Sequence, residues 1–343
     1  MQERAALKWA EHVARNTAGE SDDVFDELRR HFTDAQVIEV TLACGMFAVA
    51  NRVQDSLRIP IEAESEVNKI KHSVSSADPG RIKAYLEMLV ENWPCEFPGH
   101  PAGEGNASAI APSVSDLSQA ATSETRLPLL DPLTCTEQSE RFMAAAGRLA
   151  GGLTNVARVF ANNPYISKLW YPFPVALEHE CMGSGLSFEV KILALLRTAH
   201  LRSAGYSIAH RTALGHAAKV ENAKLAALDN PDCSRLPIYA AHEQVALRWA
   251  EQVAPNTAKR DEAVFGELKK HFGAAEIMEL TGACAMANQA ALMQNALRIP
   301  LEPAKVVAAL NDTPRLAPLR IKRYLEDLLS DWPQTFPAST VLA

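Results

Sequence analysis

A shift of 240 residues lays AALKWAEHVARNTAGESDDVFDELRRHF, residues 5–32, over VALRWAEQVAPNTAKRDEAVFGELKKHF, residues 245–272. The match runs on through VQDSLRIPIE and MQNALRIPLE. After a slip of one residue RIKAYLEMLVENWPCEFP falls on RIKRYLEDLLSDWPQTFP, which pairs Trp93 with Trp332 and Phe97 with Phe336. About half of the aligned positions are identical, so residues 1–98 and 241–337 read as two versions of one segment. Two versions so far apart are no solenoid, whose units recur every roughly 20–50 residues. A segment with large apolar faces cannot stand alone in water. The expectation is that the N-terminal version docks where a second subunit would sit, forming an intrachain pseudo-dimer.

The segments themselves read as helices. In DEAVFGELKKHF, Val264, Phe265, Leu268 and Phe272 recur at helical spacing, while Glu262, Glu267, Lys269 and Lys270 take the other side. AAEIMELTGACAMANQAALMQNAL is apolar nearly all round and rich in small residues, which suits a helix in the middle of a bundle. Asn256 and Thr257 before a charged helix, and the LRIP sequences that close both long helices, are boundary signals. Sustained period-two alternation is missing, so the fold class expected is all-α.

Between the versions, residues 99–123 are rich in Gly, Pro, Ala and Ser and read as a flexible linker. From TRLPLLDP onward the helical pattern has no counterpart in residues 1–98, so 124–338 is read as a complete unit and 1–98 as its C-terminal half. Hydrophobic residues make up 48% of the chain and charged ones 22%, and the net charge of −7 is spread along it, which favours neither nucleic acid nor an anionic membrane as partner. MQERAALKWAEHVARNT has no apolar core of signal-peptide length, and the expected location is cytoplasmic. The six cysteines are widely scattered with no C-x-x-C, which points to free buried thiols.

The polar groups able to do chemistry collect in residues 186–228, read as two helices broken near Ser203-Ala204-Gly205. Ser203 is placed to cap the second helix, with Tyr206 in its first turn and His210 four residues on, on the same face. In the first helix Glu189, Leu193, Leu196 and His200 share a stripe, with Arg197 beside it. WYPFPVALEHECMGSG adds Trp170, Tyr171, Phe173 and His179, able to wall an apolar pocket or simply to pack. His179-Glu180 lacks the second histidine of a zincin helix, and no metal is expected. Glu39 and Glu279, equivalent in the two versions and set in apolar helices, are each expected to find a partner at the bundle centre.

TRLPLLDP, KILALLRTAHL, the S-x-x-Y-x-x-x-H from Ser203 to His210, AAEIMEL and NALRIPLE occur in the order and spacing of the carboxymuconolactone decarboxylase and AhpD-like superfamily, which the chain resembles over roughly 124–302. The resemblance implies an all-helical, AhpD-like, homo-oligomeric protein. AhpD-like hydroperoxidases use a C-x-x-C pair one turn before a histidine, and this chain places Ser203 and Tyr206 there. A dithiol relay has no thiols at that place. The family's acidic residue falls near Lys191-Ile192, with Glu189 about one turn upstream. His210 takes the first of the family's two histidine positions and Arg211 the second.

The resemblance therefore implies a cofactor-independent lyase or decarboxylase acting on a small carboxylated, keto or lactone compound. His210, oriented by Tyr206 or Glu189, would transfer the proton. Arg197 would anchor a substrate carboxylate, with His200, Ser203, Trp170 and His179 as further substrate contacts. A redox enzyme of the AhpD type and a non-catalytic binding or scaffold protein remain as alternatives. With neither G-x-x-x-x-G-K-[ST] nor a strand-linked G-x-G-x-x-G, no nucleotide, flavin or nicotinamide cofactor is expected.

Overall fold

The computed structural model describes residues 1–74, 79–94, 97, 125–181 and 183–333. The expected linker, 99–123, and the stretch 334–338 lie outside them. Among the described residues the chain is all-α, in the order α1 (Gln2–Arg15), α2 (Asp22–Arg29), α3 (Asp34–Leu57), α4 (Glu64–Val74), α5 (Pro79–Glu91), α6 (Glu137–Ala150), α7 (Asn155–Phe160), α8 (Pro164–Trp170) and α9 (Pro172–Glu178). There follow α10 (Phe188–Leu201), α11 (Gly205–Ala217), α12 (Asn222–Ala227), α13 (Ala241–Val253), α14 (Glu262–His271), α15 (Ala274–Leu297), α16 (Ala304–Leu310) and α17 (Pro318–Ser330). An isolated bridge of sheet type joins Glu180 to Arg315.

The two long helices pack on each other along their length. A Cβ on Gly45 would stand 2.8 Å from Gln289 Cγ and 3.1 Å from Met293 Sδ, so glycine sets how closely α3 approaches α15. By length and composition α3 could cross a membrane, but it lies along α15 with Arg52 buried and donating to the Ala254 carbonyl at 2.9 Å. That carbonyl is at the end of α13, where a cation meets the negative end of the helix dipole.

The segments that match in sequence repeat the same local structure. Trp9 donates to Thr41 Oγ1 and Trp249 to Thr281 Oγ1, both at 3.0 Å, and each indole is buried beside a phenylalanine of the next helix, Phe25 or Phe265. Asn16 and Asn256 both take the left-handed conformation, as do Arg58 and Arg298 at the ends of the long helices. The arginines then cross over. Arg58 donates to the Lys259 carbonyl at 2.8 Å and pairs with Glu262, while Arg298 donates to the Gly19 carbonyl and pairs with Asp22, both at 2.7 Å. Reciprocal contacts of this kind are what a two-fold relation between equivalent segments produces.

One buried cluster runs from Trp9, Val13 and Leu28 through Met293 and Leu297 to Phe142, Leu149 and Tyr324. The N-terminal helices therefore share a core with the rest of the chain. Two expectations need correction. Glu39 is exposed, whereas Glu279 is mostly buried and accepts from Ser184 Oγ at 2.5 Å, from the Gly185 and Leu186 amides, and from Lys191 Nζ at 2.5 Å. Ser203 does not cap α11. It adopts φ 50° and leaves Ala204 at the cap, because the helix turns away one residue later than the polar pattern suggests. None of the described cysteines is in a disulfide: Cys181, Cys233 and Cys284 are buried, Cys44 and Cys135 partly so.

Candidate functional site

Between α9, α11 and α15 lies a cavity of about 130 Å3 whose wall includes Tyr206, Ser207, His210 and Arg211 of α11, Glu178 and His179, Trp170 and Tyr171, Gln294 and Asn311. Behind that wall, and not itself on it, lies Glu302, which holds Tyr206 and His210. This carboxylate, whose side chain is wholly buried, sits just after the LRIP stop of α15. The turn is held by Asn155, whose side chain donates to the Pro300 carbonyl at 3.0 Å and whose backbone amide donates to Glu302 Oε1 at 2.5 Å. Tyr206 Oη donates to the same oxygen at 2.8 Å, and His210 Nε2 donates to Oε2 at 2.8 Å.

Burial alone would raise the pKa of Glu302. The hydrogen bonds from His210, the Asn155 amide and Tyr206 outweigh it and hold the carboxyl below its ordinary value. Burial, together with the neighbouring Glu302 charge, pushes the Tyr206 phenol well above its usual range, so it stays a donor. One turn apart on α11, the Tyr206 and His210 rings stack with centroids 4.5 Å apart.

The other nitrogen of His210 fixes its tautomer. Asn311 Nδ2 donates to the Val307 carbonyl at 2.7 Å and lies 3.0 Å from His210 Nδ1. An amide nitrogen can only donate, so Nδ1 carries the lone pair and Nε2 the proton directed at Glu302. The result is a carboxylate–imidazole pair whose working lone pair is occupied by an asparagine of the cavity wall.

His179 is held differently. Its Nδ1 donates to the Val175 carbonyl at 2.8 Å, and Lys191 Nζ holds its own carbonyl at 2.9 Å. Burial pushes its pKa down, so the ring is neutral and Nε2 carries a lone pair. Trp170 stacks on Phe160 at 4.8 Å and donates to Gln289 Oε1 at 3.4 Å. Beside it Tyr171 is buried, its phenol pushed up to about 12.

The cavity therefore brings together His210, Tyr206, His179 and Trp170 of the residues expected from sequence. Four others are not on its wall. Glu189 pairs with Lys224 at 2.8 Å, and His200 Nδ1 lies 3.2 Å from Asp229. Ser203 is in the turn before α11. Arg197 is buried and saturated: Nε donates to Glu251 at 2.9 Å and the two Nη groups to the carbonyls of Leu228, Asn230 and Pro231. The orienting carboxylate is Glu302, not Glu189, and the cavity's guanidinium is that of Arg211. Glu302 had a signal in sequence, since LRIPLE repeats LRIPIE and carries Glu62 at the equivalent place. Asn155 and Asn311 had none.

No group of three or more His, Cys, Asp or Glu side chains able to hold a metal ion occurs among the described residues. The chain matches no protein family, no curated protein and no solved structure.

Proposed function

We propose that the protein is a cofactor-independent lyase, a decarboxylase of a small carboxylated, keto or lactone compound, with His210 transferring the proton. The observation that carries this reading is His210 on the wall of a small cavity, bonded at 2.8 Å to the buried Glu302 behind it, with Nδ1 met by Asn311. A carboxylate on one imidazole nitrogen raises the basicity of the other and stabilises the imidazolium. In the reaction His210 takes a proton from solvent at Nδ1 once a substrate displaces Asn311. The substrate's C–C bond to its carboxyl breaks, CO2 leaves, and the electron pair passes into the adjoining enol or keto system. Nδ1 then returns the proton to carbon, and Tyr206 and Glu302 keep the ring in place.

The same reading takes the chain as AhpD-like, with residues 1–98 as a half-unit repeat completing an intrachain pseudo-dimer and with further copies assembling as a homo-oligomer in the cytoplasm. The reciprocal Arg58 and Arg298 contacts support the pseudo-dimer. No cysteine is among the described residues that line the cavity, which speaks against a dithiol peroxidase. A built pair of polar side chains facing a void speaks against a silent scaffold.

The test is a panel of carboxylated lactones and β-keto acids assayed for CO2 release. Wild-type turnover of a member, falling about 10²- to 10⁴-fold in His210→Ala, is expected. Turnover of none, or a His210→Ala rate equal to wild type, overturns the reading.

A further inference from the structure

Arg211 lines the cavity beside His210, is 2% exposed, and has only part of its hydrogen-bonding capacity satisfied. Nη2 donates to Glu178 Oε1 at 2.6 Å, while Nε and Nη1 are buried with no hydrogen-bond partner among the described residues. Buried donors are almost always paired, because leaving one unpaired forfeits its hydration without return. Arg197, equally buried, shows the ordinary outcome, with every edge of its guanidinium closed by Glu251 and three carbonyls. Arg126 also has unpaired nitrogens, but its guanidinium lies over the rings of Phe25 and Trp9 and is not on the cavity wall. Among the described arginines, Arg211 is the one that combines burial and unpaired nitrogens with a place on the cavity wall.

We propose that Arg211 is the anchor for the carboxylate of a small monoanionic ligand, so that this cavity selects acids over their neutral counterparts. The inference rests on the same cavity as the proposed lyase reading but not on any chemical step within it. Charge decides the class. Arg211 brings the one guanidinium on the described wall and already faces Glu178, so a single added negative charge is easier to hold there than two. That favours a carboxylate over a phosphate dianion. Size and polarity set the rest: about 130 Å3, with Val156, Trp170, Val175 and Leu310 also on the wall, suits a single ring or a short chain, since an apolar void of about 150 Å3 holds benzene.

Equilibrium binding to the full chain, by calorimetry or ligand-observed NMR, tests this with benzoate and 2-oxobutanoate against benzamide and 2-oxobutanamide, and with inorganic phosphate. The acids are expected to bind at least about 10-fold tighter than the amides, the factor expected of one charge-assisted hydrogen bond. Arg211→Gln removes that preference. Glu178→Gln releases the guanidinium from its internal partner and raises the affinity for the acids, an effect of opposite sign that does not depend on Arg211→Gln folding. The proposal is overturned if acids and amides bind alike, if no acid binds at millimolar concentration, if the preference survives Arg211→Gln, or if phosphate binds tighter than the carboxylates. Acids that bind without being turned over would sink the lyase reading and leave this one standing.

Discussion

α3 and α15 lie at matching places in the two related segments, with nine of 24 aligned positions identical, and end in different surroundings. Both run 24 residues, both close on a left-handed arginine, and both hold a buried tryptophan through a threonine. On α15 the face carrying Ala283, Met286 and Ala287 is buried under α9, α10 and α11. On α3 the equivalent Ala43 is exposed, with Met46 43% and Phe47 71% exposed. The acids diverge in step: Glu62 is exposed, while Glu302 holds His210 and Tyr206. The two segments that match in sequence share the packing of tryptophan on threonine and phenylalanine. What each does chemically is set by the helices laid over it, and residues 1–98 contain no counterpart of α10 or α11.

The largest effect should separate the two acids. Glu302→Ala leaves His210, Tyr206 and the Asn155 amide without their common acceptor and is expected to cost about 3–5 kcal/mol in urea unfolding, since each buried donor left unpaired costs about 1–3 kcal/mol. Glu62→Ala should leave the unfolding curve where it is. Equal curves for the two variants would dissolve the contrast. Next come the features the versions share: Thr41→Val and Thr281→Val each leave a buried indole N–H unpaired, at a cost of about 1–3 kcal/mol. Costs that differ by more than a factor of two would mean the two tryptophan sites are not equivalent.

A smaller signal is expected from pH. His179 has a folded pKa lowered below 6.5 by burial, so the unfolded chain takes up a proton first as pH falls. Stability from this group is complete above about 6.5 and is lost as pH drops below it toward the folded value. His179→Gln should flatten that slope, and an unchanged slope would place the loss elsewhere. Glu302 acts at more acid pH with the same sign: its folded pKa is below 4.5, so its contribution stands above 4.5 and is lost as pH falls through the folded value. The smallest effect is expected from Phe47→Ala, within about 0.5 kcal/mol, because the ring is mostly in solvent. A large loss would show that something covers α3 in solution.

Much of the helical architecture was legible because periodicity reports burial directly. Val264, Leu268 and Phe272 face the core as their spacing predicts, and α15 is buried nearly all round as its composition predicts. The site was legible only where its members share one helix. Tyr206 and His210 stand one turn apart on α11, so their stacking follows from helical geometry. Glu189 and Arg197 shared a helix with each other and looked equally available. Each is drawn off by a partner distant in sequence, Lys224 for one and Glu251 for the other, and no local pattern reveals such pairs.

The sequence by itself determined that the chain is helical, where its two related segments lie, and that Tyr206 and His210 act as neighbours, because these follow from spacing along a single helix and from direct comparison of residues. Only the tertiary structure decided which acid and which guanidinium join them. Glu302 lies 92 residues from His210, and Asn311 lies 101 away. A hydrogen bond is made between groups that packing brings within about 3 Å, and chain separation carries no information about that distance once the helices have docked.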